Sequence, residues 1–324
     1  MTKNFKYFLI AFLAGIPVWW GAGILGERLE NFFYWFELSA SPQLLAAEER
    51  QVSFQNQILE LKPLRNKNIS EPTILAKSAI SLLVNDRGKE RILFEKEKDR
   101  KLPIASLTKL MTAKIVLDNY DLSKEIKISE EAVNQEESFG KLSAGKVLQV
   151  KYLLYPLLME SSNDAAFALA NDYDGATEEE FIRLMNEESQ ELRMTNTWFF
   201  NPTGLDSDSE NQPDSTNYST AADLAKLTES LLRESLLWEI LTTSKFDTFG
   251  PELINTNELL GKLPGIVGGK TGYTEKALGC FVLVLEAPKD KGYILNVVLG
   301  ANGTTDRFRE MEKLVSWVNE AYKW

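Results

Sequence analysis

Apolar positions recur along this chain with two periods, and the places where one gives way to the other outline its elements. Ala79-Ile80-Ser81-Leu82-Leu83-Val84 is an apolar run of strand length. Asn85-Asp86-Arg87-Gly88 is a turn signal, and Arg91-Ile92-Leu93-Phe94-Glu95 reads as the returning strand of a hairpin. Leu107, Leu110, Met111, Ile115 and Leu117 then predict a mostly buried helix over 106–119. Two more helices are expected over 150–159 and 164–171. Pro156 should kink the first or mark its restart, because proline lacks an amide proton and clashes with the preceding turn. Residues 178–192 and 219–232 read as amphipathic helices, the second opened by Ser219 or Thr220 with Asp223 in its first turn. From Lys270 the pattern turns to β, with strands over 269–273, 278–286 and 293–300 and a hairpin loop at 288–292. A closing helix over 307–322 points Phe308, Met311, Leu314, Val315 and Val318 inward. Strands at both ends with helices between them predict an α+β domain on one antiparallel sheet.

The first 75 residues have another texture. Tyr7 to Gly26 carries no charge over about 20 residues, enough to cross a bilayer as a helix. Lys3 and Lys6 precede it and Glu27, Arg28, Glu30 and Glu37 follow, which predicts the N-terminus in the cytoplasm and the rest outside. A cleaved signal peptide is the competing reading, but the segment is long for one and lacks a clear small-x-small site. Asn31 to Phe36 reads as an aromatic interfacial belt. Residues 41–75, with Pro42, Pro63 and Pro72 and some helix over 44–61, read as a stalk. The expected organisation is thus 1–40 cytoplasmic tip, transmembrane helix and belt; 41–75 stalk; 76–324 catalytic domain.

Composition narrows the chemistry. There is no histidine in 324 residues, and Cys280 is the single cysteine. That removes the Ser-His-Asp triad, the Cys-His dyad and the HExxH zinc site, and no metal or cofactor is expected. The net charge of −11 offers no basic stripe, so nucleic acid is not an expected partner. Cys280 lies in an apolar run and reads as a small buried hydrophobe.

A serine enzyme without histidine needs another base, and lysine is the usual substitute. Ser106 and Lys109, three apart on a helix, share a face. Two other Ser-x-x-Lys matches, Ser138-Phe139-Gly140-Lys141 and Ser143-Ala144-Gly145-Lys146, sit in a polar, glycine-bearing loop with no apolar helix behind them. Ser161-Ser162-Asn163 offers a hydroxyl and an amide, although alone it is as consistent with a cap or turn. Ser209-Glu210-Asn211 and Ser215-Thr216-Asn217 match the same pattern. Lys270-Thr271-Gly272 occurs once, after Gly268-Gly269 and at the start of a β run, where a small residue lets a ligand backbone approach the strand.

In this order and spacing the three motifs resemble those of the low-molecular-mass penicillin-binding proteins of the D-alanyl-D-alanine carboxypeptidase type. The likeness extends to residues 103–113 and 157–166, Asn201-Pro202-x-Gly204-Leu205-Asp206, Tyr218-Ser219-Thr220-Ala221 and Gly269-Lys270-Thr271-Gly272-Tyr273-Thr274, covering about 76–324. It implies a β-lactamase/transpeptidase-like fold and a peptidase acting on peptidoglycan stem peptides ending in D-Ala-D-Ala. It further implies acylation of Ser106 with Lys109 as base, proton transfer through Ser161, and substrate binding by Asn163. Lys270, Thr271 and Gly272 would bind at the strand, with Arg307 assisting carboxylate capture. The oxyanion would be held by the backbone of Ser106 and Tyr273. β-Lactams would be covalent inhibitors. Ser162 stands where the family usually has glycine, at a tight turn; the side chain is expected to be tolerated, with reduced activity as the alternative. The family's C-terminal β domain has no counterpart before Trp324, leaving the N-terminal helix as the expected tether. A D,D-endopeptidase or a catalytically weak wall-binding protein would use the same residues. A class A β-lactamase would add a Glu-x-x-Leu-Asn element, which is absent between Asn163 and Lys270.

Overall fold

A hairpin and a three-stranded meander, far apart in sequence, build one sheet. Strands β1 (Ser78–Val84) and β2 (Glu90–Lys96) form the first, while β3 (Ile266–Thr274), β4 (Leu278–Glu286) and β5 (Tyr293–Ala301) form a meander. The computed structural model describes residues 63–85, 87–136, 142–173, 175, 177–206, 215–247 and 252–324. The expected span over 7–26, the aromatic belt and the stalk helix lie outside them. Among the described residues, no helix is long and apolar enough to cross a membrane.

The sheet runs β3-β4-β5-β1-β2, every neighbour antiparallel, and β5 pairs with β1 from Tyr293–Val84 to Leu299–Ser78. Strand β1 is buried along its whole length, because helices cover both faces of the sheet. Alternate residues supply two separate cores. Ile80, Leu82, Val282, Val284, Leu295 and Val297 face the larger helical layer. Ala79, Leu83, Phe281, Leu283, Ile294 and Val298 face Phe308, Met311, Leu314, Val315 and Val318, as the sequence periodicity predicts for the last helix. Residues of the expected stalk join this second core: Ile74 is buried, Lys96 Nζ donates to its carbonyl at 2.6 Å, and Trp317 Nε1 donates to Ser70 O at 2.7 Å. The other consequence of the strand order concerns β3. It lies at a sheet edge, one side unpaired among the described residues, the position from which a strand can accept an extended ligand.

The helices follow the expected order with informative differences. A 3₁₀ turn, Ala105–Leu107, precedes α1 (Thr108–Asn119). Helix α2 (Val150–Tyr155) stops at Pro156, and the chain continues as a π turn over Pro156–Glu160. The Pro156 carbonyl then accepts from both Ser161 N and Ser162 N, closing the turn through a left-handed residue. Helix α3 (Asn163–Asn171) starts two residues later. Helices α4 (Glu178–Glu191) and α5 (Ala221–Ser230) are capped by the hydroxyls of Thr177 and Thr220. Helix α6 (Ser235–Thr242) was not anticipated from the sequence, and α7 (Asp306–Ala321) closes the second core.

Candidate active site

Ser106 lies half-buried in the 3₁₀ turn that leads into α1, and Lys109, one turn on, is fully buried. Lys109 Nζ approaches Ser106 Oγ at 3.1 Å, Asn163 Oδ1 at 2.7 Å and the Thr203 carbonyl at 2.5 Å. Asn163, the first residue of α3, donates its other amide end to Glu136 O at 2.7 Å. The buried lysine is therefore surrounded by acceptors, which is the condition for keeping such a group inside a protein.

A second lysine and serine meet beside the first pair. Lys270 is fully buried on β3 and donates to Ser161 Oγ and to the Thr271 carbonyl, both at 2.8 Å. Burial holds its pKa well below the ordinary lysine value, and the charges of Lys109 and Arg307 push it further the same way. Ser161 has φ +64°. This left-handed turn separates the π turn from α3 and presents the hydroxyl to Lys270.

The concern over Ser162 is resolved by these dihedrals. The left-handed residue is Ser161, whereas Ser162 has φ −59° and needs no glycine. Its hydroxyl accepts from Ala165 N at 3.1 Å and caps α3. Such a cap is worth about 1 kcal/mol over alanine and a few tenths over glycine.

Strand β3 passes directly against the nucleophile turn. A Cβ on Gly272 would lie 3.1 Å from Ile104 O and 3.1 Å from Ser106 N, so glycine permits this approach. Thr271 Oγ1 pairs with Thr256 Oγ1 at 2.7 Å. Tyr273 stands 39% exposed, with its ring accessible to a ligand. Arg307, at the start of α7, donates Nη1 to Gly272 O at 2.8 Å, and burial lowers its pKa. Its Nε is buried without a partner among the described residues.

The competing motifs lie elsewhere. Ser143 to Lys146 forms an exposed turn, closed by Lys146 N donating to Ser143 O. The Ser138 and Ser209 motifs lie outside the described residues. Asn217 is buried as a brace: its Oδ1 accepts from Phe200 N and its Nδ2 donates to Thr108 Oγ1 and Asn201 O. It joins α1 to the segment carrying the Thr203 carbonyl. Sequence reasoning met Asn217 only as part of the competing Ser215-Thr216-Asn217 match, and it missed the Thr203 carbonyl and Thr256. The Asn201-Pro202-x-Gly204 match pointed near the carbonyl. Cys280 is buried, and burial pushes its thiol up to about 11, which makes it a poor nucleophile.

Comparison with known proteins gives this geometry a family. The sequence model described as D-alanyl-D-alanine carboxypeptidase matches residues 65–303. The chain belongs to that family. It is 33% identical over 269 residues to the D-alanyl-D-alanine carboxypeptidase DacF of Bacillus subtilis, covering 79% of this chain and 65% of that protein. It is also 33% identical over 248 residues to the D-alanyl-D-alanine endopeptidase of Pseudomonas aeruginosa, covering 74% of this chain and 76% of the relative. Among solved structures it resembles penicillin-binding protein D2 of Listeria monocytogenes in its cefotaxime-bound form. The TM-score is 0.65 and the identity 29%, over 77% of this chain and 99% of that one. The α+β penicillin-binding fold expected from the sequence is the fold observed.

Proposed function

We propose that this chain is a serine-type D-Ala-D-Ala carboxypeptidase that removes the terminal D-alanine of peptidoglycan stem peptides through an acyl-enzyme on Ser106. The observation that carries the reading is the pair of buried lysines, each on its own serine, in a chain without histidine: Lys109 with Ser106 and Lys270 with Ser161.

Lys109 is the base, acting once it has given up its proton. A neutral amine has two protons and one lone pair. Thr203 O and Asn163 Oδ1 can accept its protons, and its lone pair can take the proton of the Ser106 hydroxyl 3.1 Å away. Lys109 takes that proton as Ser106 Oγ bonds to the carbonyl carbon of the penultimate D-alanine. The oxyanion is held by the backbone N–H groups of Ser106 and Tyr273, each worth about 3 kcal/mol in such a site. Collapse breaks the C–N bond. The departing amine takes the Ser161 proton, Lys270 gives one to Ser161, and Lys270 recovers the proton that Lys109 took from Ser106. Water then cleaves the ester and returns the proton to Ser106. Asn163 binds the substrate backbone. Lys270, Thr271 and the Gly272-Tyr273 edge hold the terminal residue, and Arg307, with its unpartnered Nε, assists the carboxylate.

Lys270 makes carboxylate capture pH-dependent. It is charged below its depressed pKa and neutral above it, so capture is strong at low pH and fades as pH rises through that value. The KM for a D-Ala-D-Ala peptide should rise on the alkaline side well before an ordinary lysine would titrate. Lys270→Arg should abolish that rise, because guanidinium keeps its proton. A KM that stays flat for the unmodified protein would remove Lys270 from carboxylate capture. For folding the sign is opposite. The unfolded chain binds the Lys270 proton more tightly, so raising the pH between the folded and unfolded values increases stability.

The first experiment offers the full chain a pentapeptide ending in D-Ala-D-Ala and a cross-linked muropeptide dimer. Release of D-alanine supports the carboxypeptidase. Cleavage of the dimer alone moves the reading to a D,D-endopeptidase, which the Pseudomonas aeruginosa relative favours by name. Penicillin acylation without either product marks a wall-binding protein. β-Lactams as inhibitors are supported by the cefotaxime-bound relative.

The catalytic domain, which takes in the residues from 65 onward, is read as lying outside the cytoplasm, where its substrate is. Residues 1–40 would anchor it through the uncharged segment 7–26, and the residues from 41 up to the domain would be the stalk. Protease added to intact cells should then degrade the catalytic domain, and a protected domain would overturn this topology.

A further inference from the structure

We propose that Thr256 is a positioning residue of this site: its hydroxyl donates to Thr271 Oγ1 and turns the Thr271 proton toward the terminal carboxylate of an acyl-D-alanyl-D-alanine ligand. The inference rests on the reading of Lys270 and Thr271 as the carboxylate-binding pair.

The two hydroxyl oxygens are 2.7 Å apart, and among the described residues Thr256 is the only hydrogen-bond partner of the Thr271 side chain. A hydroxyl carries one proton and can accept two. Either threonine can donate in the free protein. Once an anion sits beside Thr271 the direction is decided: Thr271 gives its proton to the anion and must accept from Thr256. Two hydroxyls in series polarise each other, so the outer one becomes a stronger donor. Without Thr256 the Thr271 hydroxyl loses the partner that holds its rotamer.

Thr256 can do this because its backbone is held from both sides of the site. Its N–H donates to Met159 O at 3.0 Å, and Ile254 N donates to Glu160 Oε1 at 3.0 Å, in the stretch that ends at Ser161. Asn255 Nδ2 donates to Leu241 O and Thr243 O, and Asn255 Oδ1 accepts from Asn257 N. Asn257 is buried against β3, where a Cβ on Gly269 would come within 3.1 Å of its Nδ2. The segment 254–257 therefore joins the proton-transfer serine to the carboxylate-binding strand, and Thr256 is the hydroxyl it brings to that strand.

The test compares the full-length protein with Thr256→Val, which keeps the shape and loses the hydroxyl, and Thr256→Ser, which keeps the hydroxyl. Three probes are used: an N-acyl-D-Ala-D-Ala peptide, benzylpenicillin, and an N-acyl-D-alanyl aryl thioester whose leaving group has no carboxylate. Loss of one neutral hydrogen bond in a chain leading to a charge should cost Thr256→Val about tenfold in kcat/KM for the peptide and in the penicillin acylation rate. The peptide loss should appear in KM with little change in kcat. The thioester loss should be several-fold smaller, and Thr256→Ser should recover most of both carboxylate-dependent losses. Equal losses on all three probes would mean a structural role and overturn the inference, as would no loss on any. An unmodified protein that is acylated by penicillin but releases no D-alanine would overturn the carboxypeptidase reading alone. The Val-to-Ser comparison on penicillin would still decide the role of Thr256. An unmodified, folded protein that penicillin does not acylate and that releases no D-alanine would overturn both.

Discussion

Replacing Ser106 with alanine is expected to lower D-alanine release by roughly 10⁴-fold or more and to abolish the covalent penicillin adduct. The size follows from the step removed. Without Oγ no ester forms, and what remains is the contribution of oxyanion donors and substrate binding to direct attack by water. The folded state should barely register the change. Ser106 is half-buried, and its hydroxyl lies farther from Lys109 Nζ than Asn163 Oδ1 or Thr203 O does, so stability should move by no more than about 1 kcal/mol. Lys109 keeps both of its shorter contacts in that variant. The informative control is Ser143→Ala, in the exposed turn whose sequence carries the same Ser-x-x-Lys spacing. It should retain full activity. The measurement is D-alanine release together with intact-protein mass after penicillin treatment. Retained adduct in Ser106→Ala, or its loss in Ser143→Ala, would transfer the nucleophile.

The contrast between these two serines shows what was legible in the sequence. Spacing alone made them equal, and the apolar helix behind Ser106 separated them. The sheet strands were read nearly to the residue, since period-two burial on two faces leaves a strong signal over 278–286 and 293–301. Helix α6 was missed because Ser235–Thr242 is eight residues long, too short for its period to stand out. Why Ser162 is tolerated could not be read, because sequence does not say which residue of a turn takes the positive φ. That residue is Ser161, so the side chain at 162 became a cap instead of a strain. Thr203 O could not have been found from side-chain patterns, since the contact with Lys109 is to a backbone carbonyl. Thr256 meets Thr271 only through tertiary packing, 15 positions apart and with no motif of its own.

The backbone around Thr203 carries the second large expectation. Gly204→Ala should destabilise the fold by about 2–4 kcal/mol and slow Ser106 acylation by about a hundredfold. Gly204 has φ +87°, which already disfavours alanine. The greater cost is contact: an added Cβ would lie 2.1 Å from Ala105 O, 2.5 Å from Ala105 C and 3.0 Å from Ser106 N. These are backbone atoms, so no side chain can turn aside. Ala105 itself has φ +47°, and the strained turn that presents Ser106 has little room to retreat. On the other side, Asn201 Oδ1 accepts from Gly204 N at 2.7 Å and from Thr203 N at 3.2 Å. Movement there shifts the carbonyl that holds Lys109. Both the nucleophile and its base are thus displaced by one methyl group. Gly145→Ala separates contact from conformation, since Gly145 has φ +79° and open space around its Cβ. It should cost about 1 kcal/mol and leave acylation unchanged. Urea midpoints and penicillin acylation rates on both variants provide the measurement. If Gly204→Ala behaves like Gly145→Ala in both, the close approach of the 201–204 segment does not set the geometry of Ser106 and Lys109.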